Sequence, residues 1–279
     1  ATRAGVDPSR APGWSARKHA FDILKQLITR FGDPERDFKS KARRKLALAF
    51  AGRFFAPIVN EFLRALASLA DGVDMPDKII TRLLEALLSG VVPYDRAYSV
   101  LQPHVLSFAT GLVFPLVLPQ QSHVVRFADD PRDYVRREFE LDIAPEEVYS
   151  SCAAALAFFR QLLLSRPETM PDVMQFIVGR MESYARGECD TLTKAAALHV
   201  LGSCNKILMQ SQAPYAERLP QILETHVFPE LDAGDGVLRA RACWTLQQFS
   251  EVINRISPAA AAASVQKLLD RMRDPAMPV

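Results

Sequence analysis

The sequence predicts an all-α protein, a superhelical solenoid of antiparallel helix pairs, and three observations predict it. Helical starts near Glu146, Thr191 and Gly236 recur at a stride of 45 residues, and the starts between them, near Met170, Tyr215 and Ala259, at 45 and 44. A sustained stride of this length marks stacked helix pairs. Apolar side chains within the segments step by three or four, as Leu192, Ala196, Val200, Cys204 and Ile207 do, so each helix carries a stripe to bury. Only 12 of 279 residues are Gly, and the 19 Pro suit first turns and connections.

In order, Trp14–Phe31 is a helix whose stripe reads Ala20, Ile23, Leu24, Leu27, Ile28 and Phe31, stopped at Gly32-Asp33-Pro34. Residues 40–70 form a long helical stretch that Pro57 kinks or breaks. Pro76 opens a helix running to about Gly90, and Val100–Leu118 forms another. Residues 119–144 read as an irregular insertion, in which Asp130 caps a short helix opened by Pro131. Downstream the stripes Val148, Cys152, Leu156, Phe159, Leu163 and Leu238, Ala242, Leu246, Phe249, Ile253 mark successive helices. Ser257-Pro258 opens the last, and Asp274–Val279 reads as the turn into a further helix. The expectation is one continuous array over residues 1–279, a stretch of a longer repeat protein.

Charge and cysteine usage narrow the function classes. The net charge is +2, but residues 1–53 carry +8 and the remainder −6. A mildly acidic body disfavours general nucleic-acid binding and suits basic protein partners. Cys152, Cys189, Cys204 and Cys243 lack tight spacing and read as reduced core thiols, with no zinc pattern and no metal or cofactor implied. Uninterrupted apolar runs such as Val113–Leu118 are too short to span a bilayer. His19, His104, His123, His199 and His226 are scattered, and Gly234-Asp235-Gly236 has no phosphate-loop framework, so catalysis has no support.

The acidic turn followed by Val-x-Arg-x-x-Ala, here Asp232 to Trp244, resembles the HEAT repeat and places Gly236–Ile256 as the second helix of its pair. More specific marks are His226-Val227-Phe228-Pro229 ahead of Arg239-Ala240-Arg241-Ala242-Cys243-Trp244, the Asp130–Arg136 segment, Trp14 to Gly32, Ala197–Ser203 and the closing Asp274–Val279. In this order they resemble the importin-beta (karyopherin-beta) superfamily, in its importin seven and importin eight branch. The resemblance implies a carrier shuttling between cytoplasm and nucleus, with basic protein cargo on its concave face and phenylalanine-glycine nucleoporins on its convex side. It also implies control by the small GTPase Ran, whose main site would lie upstream. The rival is a HEAT-repeat scaffold that positions an enzyme or assembles a complex.

Three groups of residues are candidate sites. By the resemblance, Trp244 presents its indole to a cargo lysine, with Gln248 and Glu251 on the same helical face; the alternative is a Trp buried between repeats. Asp129, Asp130 and Asp133 either bind a basic ligand or Ran, or serve as caps and solvated loop residues. Lys39, Lys41, Arg43, Arg44 and Lys45 either meet RNA or an acidic partner, or form the solvated face of a helix.

Overall fold

The computed structural model describes residues 13–33, 40–139, 150–210, 214–276 and 278–279. In chain order its α-helices are α1 (Trp14–Phe31), α2 (Lys41–Arg53), α3 (Phe55–Ala67), α4 (Asp77–Gly90), α5 (Asp95–Leu101), α6 (Val105–Phe108), α7 (Gln121–Asp129), α8 (Pro131–Glu138) and α9 (Ser151–Ser165). They continue as α10 (Met170–Ala185), α11 (Thr191–Ser203), α12 (Asn205–Gln210), α13 (Pro214–His226), α14 (Gly236–Gln248) and α15 (Pro258–Arg271). No strand occurs among the described residues, and the fold is all-α, of the HEAT-repeat type. The starts of α11 and α14 lie 45 residues apart, and those of α10, α13 and α15 at successive steps of 44.

The chain divides into two compact units, residues 1–116 with 149–170, and residues 117–148 with 171–279. In the first, α4 packs between α1 and α9, and α3 braces α4 and α5. Phe21 meets Phe62 edge-on at 5.9 Å, and Phe108 meets Phe158 at 5.4 Å. The α1–α4 contact differs from the predicted stripe. Ala20 and Ile23 are exposed, while Phe21 and Ile28 are buried. Two ion pairs rotate the helix this way, Asp22 to Arg82 at 2.6 Å and Lys25 to Glu85. A charged side chain half-buried against an opposite charge competes with an apolar one for the interface, and a hydropathy stripe does not register it.

The break expected from Pro57 falls at Phe54, with a bend of 52° between α2 and α3. Pro57 sits in the first turn of α3, where its missing N–H has no partner to lose. The segment predicted as one helix over Val100–Leu118 is instead α5, a 3-10 turn, α6 and a π-helical turn over Ala109–Val113. By length and composition alone the helical run Asp95–Asp129 could cross a membrane, which uninterrupted apolar runs did not flag. Its Leu101, Val105, Phe108 and Val113 are buried, and its Ala109–Val113 turn packs on α9.

In the second unit α11 packs on α14, and the 3-10 segment Phe228–Asp232 bridges α13, α14 and α15. The last helix opens on the predicted Ser257 cap, and two starts for which the sequence reading named no cap are built the same way. Asp190, Asp235 and Ser257 each accept a backbone N–H three residues on, at 2.8, 3.0 and 3.3 Å. In the first unit Ser150 does the same for α9, which begins at Ser151; the predicted start near Glu146 and the stripe residue Val148 lie outside the described residues. Residues 121–138, predicted irregular, fold as α7 and α8, with Asp130 capping α8 as expected. The face predicted on α11 understates its burial, because Lys194 through Leu198 are buried all round. A helix apolar on every side is one surrounded by others.

Helices α1 and α4 approach closely at Gly90, where an added methyl would overlap Cγ2 of Ile28. In a helix interior Gly→Ala ordinarily gains about 1 kcal/mol. Here Ile28 is β-branched and fully buried and cannot swing away. Gly90→Ala should therefore destabilise the chain, by about 1–3 kcal/mol for overpacking, in a denaturant melt.

Candidate binding site around Trp244

Trp244 lies on α14, one turn beyond Arg241. Its indole is half-buried and edge-on to His199 of α11 at 5.1 Å. Only a glycine fits beneath it: a methyl on Gly202 would overlap the indole Cζ3. Phe139, just after α8, lies across it at a centroid distance of 6.5 Å.

The cation at this ring is an arginine of the chain itself, not the cargo lysine the sequence reading calls for. The Arg241 guanidinium lies 5.1 Å from the Trp244 ring and 4.9 Å from that of Phe139, and pairs with Glu138 at 2.7 Å. Arg241 is only 2% exposed. Tyr134 of α8, edge-on to Phe127 at 5.0 Å and to Phe139 at 5.8 Å, completes the cluster. Burial pushes its phenol up to about 12, so it stays neutral. Phe127 seats against Gly236 at the start of α14, where a side chain would come within 2.8 Å of the ring.

The other predicted residues scatter around this cluster. Gln248 ends α14, and Asn205 donates to its main-chain carbonyl at 2.8 Å. Glu251 is exposed in a 3-10 segment, Ser250–Arg255, beyond the helix end. The predicted helix to Ile256 stops eight residues early, so the seven-residue spacing no longer puts Glu251 on the face of Trp244. Asp130 is spent as a cap. Asp133 holds Arg136 and Arg137 at 2.7 Å and Arg126 at 3.2 Å, and the Arg136 hydrogen bond leads in keeping its carboxyl below the usual range. Asp129 is exposed at the end of α7. The three aspartates are adjacent, but two are engaged locally.

Two further ionic joints were not foreseen. Arg239 donates to the Ala233 and Gly234 carbonyls at 2.8 and 3.1 Å and holds Asp274 at 2.8 Å through two nitrogens. This arginine ties the turn before α14 to the turn after α15, and its hydrogen bonds keep the Asp274 carboxyl low. Lys194 of α11, 1% exposed, pairs with Glu230 at 3.1 Å and faces the Tyr184 ring at 5.5 Å. Burial lowers its pKa, against the pull of Glu230. Arg241 was legible as a cation three residues before Trp244; nothing in the sequence linked Glu138 and Phe139 to it.

Between α10 and α13 runs an open groove of about 820 Å³. Met174, Val178 and Ile222 line it with Gln175, Arg218 and Gln221, and the Tyr215 hydroxyl donates to the Pro171 carbonyl at 3.3 Å. No group of three or more His, Cys, Asp or Glu suited to a metal occurs among the described residues.

Short helices paired in tandem and joined by buried ion pairs define a HEAT-repeat protein. Its known relatives make the class specific. The chain is 30% identical over 244 residues to the importin beta-like SAD2 homolog of Arabidopsis thaliana, covering 86% of this chain and 23% of that protein. It is 25% identical over 239 residues to Importin-8 of Homo sapiens, covering 86% and 22%. It is 24% identical over 244 residues to a probable importin-7 homolog of Dictyostelium discoideum, again covering 86% and 22%. The chain belongs to the importin-beta superfamily of HEAT-repeat nuclear transport receptors. It spans less than a quarter of the length of these relatives. No family model and no solved structure matches it.

Two outcomes test the joints. Glu138→Ala should cost roughly 3 kcal/mol in a denaturant melt, because it strands a buried guanidinium, whereas Arg241→Met, which removes the charge, should stay within about 1 kcal/mol of the parent. Asp274→Asn should cost roughly 3 kcal/mol at neutral pH. The folded carboxyl titrates below the ordinary aspartate value of 3.8, so its stabilisation is complete above that value and disappears as pH falls through the folded one. The gap in melting temperature between parent and Asp274→Asn should therefore close below pH 3.8.

Proposed function

We propose that this chain is a working stretch of a nuclear transport receptor, one that carries basic protein cargo through the nuclear pore under the control of Ran. The observation that carries the reading is the likeness to importins along 86% of the chain. The continuous repeat array expected from the stride gives such a carrier many weak contacts along one face. Ran in its GTP form, bound mainly elsewhere in the receptor, releases cargo by favouring a different array curvature, which requires different affinity for the two shapes.

The geometry refines two parts of this reading. A cargo lysine reaches Trp244 only by displacing Arg241 or by approaching the indole from outside, with Gln248 and Glu251 flanking it. The acidic group at Asp129, Asp130 and Asp133 offers basic cargo mainly the uncommitted carboxylate of Asp129. The apolar floor of the α10–α13 groove suits phenylalanine side chains of nucleoporin repeats. The proposed localisation is shuttling between cytoplasm and nucleus, and the proposed role is carriage, not catalysis.

A pull-down with immobilised chain should retain phenylalanine-glycine peptide, and Ile222→Arg, which places a charge in the groove, should abolish that retention. The receptor containing this chain should bind basic cargo and release it with GTP-locked Ran. Absence of both peptide binding and Ran-dependent release would favour a HEAT-repeat scaffold.

A further inference from the structure

The α7–α8 hairpin is tied to itself along its length and to α14 at a few side chains. Inside it, Asp133 pairs with Arg126 across the two helices and with Arg136 and Arg137 along α8. Phe127 meets Tyr134 edge-on, and Asp130 caps the second helix. Helix α7 buries no residue and α8 only Tyr134, whereas α11 and α14 bury more than half of theirs. The hairpin meets α14 through Phe127 on Gly236, Glu138 on Arg241, and Phe139 across Arg241 and Trp244. An element that buries so little apolar surface opens at lower cost than the fold as a whole. Its internal ion pairs keep it one piece when it does.

The seat beneath it is incompletely used. Glu138 accepts from Nη2 of Arg241 at 2.7 Å, while Nη1 is buried with no hydrogen-bond partner among the described residues. A buried donor left without an acceptor is costly. A carboxylate that serves two nitrogens of one guanidinium, as Asp274 serves Arg239, is held more strongly.

We propose that the hairpin is a strap that lifts as a unit from α14, and that the seat it leaves, the Arg241 guanidinium beside the Trp244 indole, takes a protein segment with a carboxylate next to an aromatic side chain. Glu138 and Phe139 stand in for that segment in the closed fold. They are consecutive, and they set a carboxylate on the guanidinium and a ring across guanidinium and indole at once. A partner has to replace these contacts, and it improves on them by serving both terminal nitrogens of Arg241. A basic segment meets Arg241 as a like charge and is disfavoured at this seat. A nucleotide also offers a ring and an anion, but the chain beyond residue 53 carries −6, which opposes a phosphate backbone. The inference stands apart from the transport reading, and its failure leaves that reading untouched.

Fluorescence anisotropy on the whole chain tests it, with a labelled peptide of the strap's own residues 131–139 as probe. Apparent affinity is reduced by the small fraction of chain that is open, so a looser strap means tighter binding. Phe127→Ala loosens the hairpin at Gly236 rather than at Arg241, and should tighten binding at least about tenfold. Adding Arg241→Met should remove that gain, as should placing Glu138→Gln or Phe139→Ala in the peptide. An oligouridylate should bind the loosened chain far more weakly than the peptide does. Hydrogen exchange gives a second measure that needs no ligand: Phe127→Ala should speed exchange in α7 and α8 together, by about tenfold, and leave α11 as it was. The proposal is overturned if Phe127→Ala binds the peptide no more tightly than the parent, or if the gain survives Arg241→Met or either peptide change. It is equally overturned if oligouridylate binds as tightly, or if exchange rises in α7 alone or to the same extent in α11.

Discussion

Each helix of this chain is too short to persist alone, so the fold depends on how closely one helix can approach the next. Two glycines set that distance. Gly90 of α4 admits Ile28 of α1, and Gly202 of α11 admits the indole of Trp244 on α14. At both places the missing side chain is the condition for contact, because a methyl would hold the helices apart and leave the facing side chains without packing partners. The glycines cost helix propensity locally and are tolerated because neighbour packing returns more.

Where the helices turn, charges fix the geometry. Lys194 with Glu230, Arg239 with Asp274 and Arg241 with Glu138 each join segments distant in sequence, and each cation is almost withdrawn from water. Such pairs are weak sources of net stability, since desolvation offsets most of the attraction. Their stronger effect is on register: a helix slipped by one residue would leave a buried charge unpaired, which packing alone would not forbid. Arg239 shows this most directly, since one guanidinium meets two carbonyls and a carboxylate at once.

How much of this was legible follows from which forces act locally. The stride, the caps at Asp130 and Ser257 and the Pro76 start depend on residues a few positions apart, and the structure has them where the sequence puts them. The all-round burial of α11, the rotation of α1 onto its ion pairs and the early end of α14 depend on partners far away in sequence. Trp244 is the instructive case. Its type and position suggested a ring open to a cargo lysine, but the cation the ring meets belongs to the fold. That cation is Arg241, held by a glutamate 103 residues away, a separation that no spacing rule reaches.

The contrast between Arg241 and the cations of α2 shows what a solvated charge can and cannot do. Arg241 is fixed between two rings and a carboxylate, so its energy is already committed to the fold. Lys41, Arg43, Arg44 and Lys45 contribute nothing of that kind, because water screens them and the helix dipole opposes them. Only a partner that brings carboxylates and excludes water can turn their charge into favourable interaction, because attraction between charges grows as the local dielectric falls.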